Sequence, residues 1–453
     1  MVRRLAQLAC ALALGAPPLA AQTEMITRAQ IDTYVLPNGL KVVLLEDHSA
    51  PVAAVMVTYD VGSRNEQPGR TGFAHLFEHM MFKGSAHVKE GQHYSLLETA
   101  GSAGYNGNTT EDATNYYEPV PSNRLNLALW LEADRMRSLA ITDENFKNQR
   151  EAVKEERRLR VDNQPYTKVL FEQVYKTIDS TSCYPYSHSI IGSMADLDAA
   201  QTSDVQAFFK TYYAPNNATL VVTGDFQPAP TKQLVAQYFG DIPRADPPPV
   251  VVCNDKAVYN AGARRERVLD TKATLPAVFK AYMIPAYDSK DYAALELLGT
   301  ILGRGESSRL NRTLVRESKL AAATQSFVNL FGPRRGPGQF ALFAVANSGI
   351  AVDTLDARLN DVVAKIVADG LSEDELTKAK NNYLADVIRE RQRAMSLAQA
   401  LQRANLFLGS PEQLDRDTDR YAMVTVADVK RAAATYLRPD NSMTFIISAE
   451  AAK

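Results

Sequence analysis

Cysteine is scarce in this chain. Only three occur in 453 residues, at positions 10, 183 and 253. Cys10 falls in an N-terminal leader, and the spacing of Cys183 and Cys253 carries no geometric warrant for a bridge. The two could pair in an oxidising compartment, although two lone cysteines are more often independent buried thiols. Excess charge is missing too. Fifty Lys and Arg face 52 Asp and Glu, for a net charge of −2. With no basic bias and no long acidic tract, nothing points to nucleic acid. Beyond the N-terminus there is no apolar run long enough to span a membrane. Histidine is rare, with six at 48, 75, 79, 87, 93 and 188. Their arrangement is therefore informative.

What is present begins with a leader. Arg3 and Arg4 form a basic start, Leu5 to Ala16 an apolar stretch, and Ala20-Ala21 a small-residue cleavage point before Gln22. Residues 1–21 read as a secretory signal peptide. Export places the mature chain in a bacterial periplasm or outside the cell, with no integral membrane segment once the signal is removed. Roughly 430 residues remain, enough for two domains with their own cores. Hydrophobic content of 45% and charged content of 23% are ordinary for a globular protein.

The remainder is a duplication. Asp204, Val205, Tyr212, Pro215 and Asn217 recur, each 224 residues later, as Asp428, Val429, Tyr436, Pro439 and Asn441. Both copies read as helix, Pro/Asn turn, then apolar strand. Thr142-Asp-Glu and Ser372-Glu-Asp each open a long charged helix. The predicted organisation is an N-terminal domain over 22–245, a linker over 246–262 and a C-terminal domain over 263–453. The linker opens on the stiff Asp246-Pro-Pro-Pro249. Within the first half, Tyr34 to Glu46 reads as a hairpin through Pro37-Asn-Gly39. Val52 to Tyr59 reads as an apolar strand and Leu125 to Ser138 as an amphipathic helix. Strands and helices in mixed order predict an α+β fold, helices packed on mostly antiparallel sheets.

The chemistry concentrates in Gly72-Phe-Ala-His75-Leu-Phe-Glu78-His79-Met. Four residues apart on a helix, His75 and His79 point the same way and form half of a tetrahedral zinc site. Glu78 shares that face, placed to take a proton from a water beside the metal. This order, H-x-x-E-H, is the inverzincin signature. A third ligand must come from another element. The charged helix after Thr142 offers Glu151, Glu155 and Glu156, and composition does not choose among them. The second copy lacks the motif: Ala294, Leu297 and Leu298 stand where His75, Glu78 and His79 do.

On these residues the chain resembles the pitrilysin/insulinase/mitochondrial processing peptidase family of zinc peptidases, in the style of its short bacterial secreted members. The resemblance selects the third ligand. A glutamate in the pattern V-x-x-E, some seventy residues after the second histidine, matches Val153-Lys-Glu-Glu156. It implies the same fold for both halves and Zn²⁺ as cofactor, although manganese or cobalt would suit the same ligands. It also implies an acidic residue seven positions before the third ligand, where this chain has Gln149.

The resemblance further makes Asn106, Gly107 and Asn108 an edge strand that pairs with an extended peptide, with Tyr117 facing the site. It implies an Arg and a Tyr, seven residues apart, that anchor the substrate. Here Arg316 is present, but the tyrosine position is Ala323. A heterodimer follows, with a homologous zinc-free sister that carries the Arg/Tyr pair. The implied activity is zinc-dependent endoproteolysis of peptides or unfolded segments bound as an added β-strand. The alternative is a catalytically weak or inactive structural or peptide-binding subunit.

Overall fold

The computed structural model describes residues 30–254 and 263–449. The leader expected at 1–21 and part of the expected linker lie outside the described residues. The principal elements of the first half are strands β1 (Asp32–Val35), β2 (Lys41–Glu46) and β3 (Val52–Tyr59), helix α1 (Phe73–Met80), strands β4 (Asn106–Thr109) and β5 (Thr114–Pro121), helices α2 (Leu125–Ser138), α3 (Asp143–Arg157) and α4 (Thr202–Tyr212), strand β6 (Ala218–Gly224) and helix α5 (Pro228–Phe239). The second half follows with β7 (Arg264–Leu269), β8 (Ala277–Ile284), α6 (Tyr292–Gly303), β9 (Ala321–Val328), β10 (Gly338–Ala346), α7 (Val352–Asp369), α8 (Glu373–Arg391), α9 (Ala394–Leu408), α10 (Val426–Tyr436) and β11 (Ser442–Ser448). The fold is α+β.

Six strands form one sheet in the order β1-β2-β6-β3-β5-β4, and five form a second in the order β7-β11-β8-β10-β9. From β2 and β7 inward the two orders are the same. In each, one pair is parallel, β2 with β6 and β7 with β11, and the other pairs are antiparallel. The repeated Pro/Asn turn does the same work twice. Asn217 Nδ2 donates to Tyr212 O at 2.8 Å, and Asn441 Nδ2 to Tyr436 O at 2.7 Å. Each amide closes the end of its helix and sets the entry into a central strand. The hairpin over Pro37-Asn-Gly39 forms with Val35 opposite Lys41, and Gly39 takes a φ of +94° that favours glycine.

Strands β3 and β6 are buried along nearly their whole length rather than alternating. Both of their faces are covered. One face packs on helices of its own half. The other receives α9 of the second half, where Thr223 Oγ1 donates to Ala394 O at 2.6 Å. The exchange is mutual: Val169, Val174 and Tyr175 of the first half join Phe279, Phe343 and Phe445 in a core on the second sheet. Each half thus supplies part of the other's core, and the described residues from Ile31 onward form one compact unit. No helix among the described residues is long and apolar enough to cross a membrane.

Of the two alternatives for Cys183 and Cys253 the structure has the pair, joined by a disulfide with Cα atoms 4.5 Å apart. The cause is local docking. Asn254 N donates to Ser182 O at 2.9 Å, which lays the linker along the helical turn Ser180–Cys183. That approach depends on tertiary packing and leaves no trace in cysteine spacing.

Candidate metal centre and cleft

Helix α1 buries Phe73, Ala74, Leu76, Phe77 and Met80 in the first core, which turns His75, Glu78 and His79 outward on its other face. Its start is capped from a distance. Gly72, at φ +89°, offers no side chain, and Glu66 reaches in instead, accepting from Gly72 N at 2.9 Å and Ala74 N at 2.8 Å. Its carboxylate meets the positive end of the helix. His188 Nε2 lies 3.2 Å from the same carboxylate. Burial pushes the Glu66 carboxyl up, against the hydrogen bonds from His188 and the backbone.

Helix α3, capped by Thr142 accepting from Asn145 N at 3.1 Å, brings Glu156 to the histidines. Glu156 Oε2 lies 3.5 Å from His75 Nε2 and 3.1 Å from His79 Nε2. The three donor atoms lie within 4.8 Å of one another. Donors about 2.0–2.2 Å from a tetrahedral zinc stand about 3.4 Å apart, so this set fits the ion. Burial, then the neighbouring His79, lowers His75 to about 4, which keeps its imidazole neutral as ligation requires. Burial opposes charge on Glu156, but the hydrogen bond to His79 and the charges around it hold the carboxyl at about 2. Its other oxygen, Oε1, meets Arg160 Nη1 at 2.9 Å. Of the three glutamates on α3, Glu151 pairs with Lys154 and Glu155 with Arg158, both near the surface. Gln149 is buried on α3 and bonds Asn148, while His75 Nδ1 is buried without a hydrogen-bond partner among the described residues.

Glu78 faces the same space and accepts from Thr109 Oγ1 at 2.7 Å. Burial pushes its carboxyl up, and the Thr109 bond works against that. Thr109 ends β4, the last strand of its sheet, whose outer edge has no strand partner among the described residues. Gly107 makes the close approach possible, since a Cβ there would fall 2.9 Å from Glu78 Cγ. Asn106, Gly107, Asn108 and Tyr117 line one cleft with His75, Glu78, His79 and Glu156, a space of ≈ 490 Å³. Arg316 is not brought there. It lies exposed on the turn Asn311–Glu317, outside the cleft lining, and Ala323 is exposed on β9.

Sequence reasoning did not name the residue by which the second half enters the cleft. Phe331, in the loop between β9 and β10, packs against Phe171 in the lining. The same loop is pinned to the turn after β4. Arg334 pairs with buried Glu111, and Arg335 with buried Asp112 and with Asp60. Tyr175 OH donates to Glu111 Oε1 at 2.8 Å and Tyr186 OH to Asp112 Oδ1 at 2.7 Å. Adjacent acids in one half and adjacent arginines in the other were the available signal.

Two family descriptions match the chain: "Insulinase (Peptidase family M16)" over residues 41–192 and "Peptidase M16 inactive domain" over residues 200–383. The chain belongs to peptidase family M16. Among its M16 relatives, the zinc protease PqqE of Helicobacter pylori is 29% identical over 418 residues, covering 92% of each chain. A probable mitochondrial-processing peptidase subunit beta of Arabidopsis thaliana is 24% identical over 428 residues, covering 93% of this chain and 79% of that protein. Among solved structures, a protease from Helicobacter pylori superposes with a TM-score of 0.86 at 29% identity, covering 92% of this chain and 99% of the other. A peptidase M16 inactive domain from Pseudomonas fluorescens shares the fold, with a TM-score of 0.81 at 18% identity over 94% of this chain and 99% of the other.

Proposed function

We propose that this M16 chain is a zinc-dependent endopeptidase that cleaves peptides or unfolded segments laid along β4. The observation that carries the reading is the convergence of His75 Nε2, His79 Nε2 and Glu156 Oε2, with the Glu78 carboxylate beside them and an open strand edge alongside. Relatives named zinc protease support it.

Zinc held by these three side chains would supply Lewis acidity, polarising the scissile carbonyl and making a water more acidic. The chain's own groups do the rest. The free edge of β4 pairs with the substrate backbone, so extended shape matters more than side-chain identity. Glu78 takes the proton from the attacking water and delivers it to the leaving amine. Thr109 holds one Glu78 oxygen, leaving the other to the water. Phe171 and Phe331, packed against each other in the lining, give the cleft an apolar wall.

Glu78→Gln keeps the ligand set and removes the base. Cleavage of an unfolded reporter peptide is expected to fall by about a hundred- to ten-thousand-fold with zinc content unchanged. Full turnover in this variant would overturn the assignment.

A second reading is favoured by one observation: Arg316 stays outside the cleft and Ala323 stands at the tyrosine position. On that reading the chain alone is a weak or inactive peptide-binding subunit. A zinc-free sister carrying the Arg/Tyr pair completes it, and both work in the periplasm or outside the cell. Turnover measured with and without such a sister separates the two.

A further inference from the structure

The halves differ in a second place, far along the fold from the metal centre. In the first half β6 runs into α5, which returns across α2. Val235 and Phe239 of α5 share one core with Val57 and Leu220, partners across β3 and β6. Arg137 of α2 fastens its end, Nη2 donating to Tyr238 O at 3.0 Å and Nη1 to Asp241 Oδ2 at 2.9 Å. In the second half β11 is the last described element, and no helix takes this place among the described residues.

The residues at the equivalent place differ in chemistry. Thr444 stands 224 residues after Leu220, and its partner on β8 is Lys280, where β3 has Val57. Arg265 on β7 faces Thr444 from the other side. Arg265, Thr444 and Lys280 therefore form one row on a single face. Helix α7 adds Asp356 and Asn360 above them. Between them lies a cavity of ≈ 600 Å³, walled by Tyr282, Val363, Val367 and Leu437.

Arg265, Lys280 and Arg438 line it together with one carboxylate, Asp356, while Arg265 also meets Asp353 and Arg438 meets Asp440 outside the lining. The Asp356 carboxylate is already shared, with Lys280 Nζ at 2.9 Å and Arg265 Nη1 at 3.2 Å. The Lys280 ammonium carries three N–H donors. One meets Asn360 and one meets Asp356, so a third is available to a ligand. Burial pulls this ammonium below its ordinary range even beside Asp356, and a second anion would relieve that cost. Apolar walls with a few convergent polar groups at this volume are the usual make-up of a small-molecule site.

We propose that this cavity binds a medium-chain alkyl carboxylate, its head on the Arg265–Thr444–Lys280 row and its chain along Tyr282, Val363 and Leu437. The apolar body gains by leaving water, and the carboxylate gains charge-assisted hydrogen bonds.

Isothermal titration of the full chain with decanoate, below its micelle concentration, tests this. Saturable one-to-one binding is expected, and decylammonium, with the same tail and opposite charge, should bind at least tenfold more weakly. Ala364→Phe and Ala368→Phe each place a ring in the cavity from an exposed helix position. Both should abolish decanoate binding while melting temperature and peptide cleavage stay unchanged. No saturable binding, equal binding of decylammonium, or undiminished binding in both filled variants would overturn the proposal.

Discussion

Thr109→Val isolates the hydrogen bond that aims Glu78, the proposed base. Valine keeps the β-branched shape that suits a strand and removes only the hydroxyl. Thr109 Oγ1 sits 2.7 Å from Glu78 Oε2 and supplies the one hydrogen bond to that carboxylate among the described residues. A hydrogen bond to a charged group contributes about 1.5–3 kcal/mol. If it is needed to hold Glu78 in its working position, kcat falls by about 10- to 150-fold. On the proposed reading substrate pairs with the β4 backbone, which valine leaves intact, so KM should stay within about twofold. Zinc content should not change, because Thr109 touches none of the three ligands. Thr109→Ser restores the hydroxyl and should recover most of the loss. The assay is steady-state cleavage of a quenched fluorescent peptide, with metal content measured on the same samples. Undiminished kcat in Thr109→Val, or a serine variant as slow as the valine one, would refute the positioning role.

Other consequences lie further from the cleft. Arg334→Met strands Glu111 as a buried unpaired charge and should destabilise the fold by about 3–5 kcal/mol in urea titration, with partial recovery in the Arg334→Met/Glu111→Gln double variant. Replacing Cys183 and Cys253 with serine should cost about 2–4 kcal/mol under oxidising conditions and nothing under strong reductant, read from the same titrations. The hydrogen bond from Arg309, helped by Ser372 against modest burial, lowers Glu375 to about 2. Its folded pKa is depressed, so its contribution is full above the unfolded value near 4.3 and is lost as pH falls toward 2. The melting-temperature gap between wild type and Glu375→Gln should therefore close over that window.

Much of this architecture is legible before any coordinates. The i, i+4 spacing of His75 and His79 decides that both rings share a face, because helix geometry leaves no other outcome. The repeated Tyr, Pro and Asn at 212, 215 and 217 and at 436, 439 and 441 mark two sheets of like order, since the same asparagine makes the same turn twice. Choosing Glu156 over Glu151 and Glu155 needs more than local pattern. All three lie on one charged helix, and only packing of α3 against α1 turns one of them toward the histidines. The exchange of α9 across the halves, the Arg334–Glu111 contact and the Cys183–Cys253 bridge join residues 70 or more positions apart. No periodicity reports such contacts. Arg316 rests on resemblance alone: it is exposed and lies outside the cleft lining.

The most direct test is anomalous diffraction at the zinc edge from crystals of the active, zinc-loaded chain. A single peak is expected about 2.0–2.2 Å from His75 Nε2, His79 Nε2 and a Glu156 oxygen. A peak elsewhere, or none at these three atoms in protein that cleaves peptide, would contradict the account.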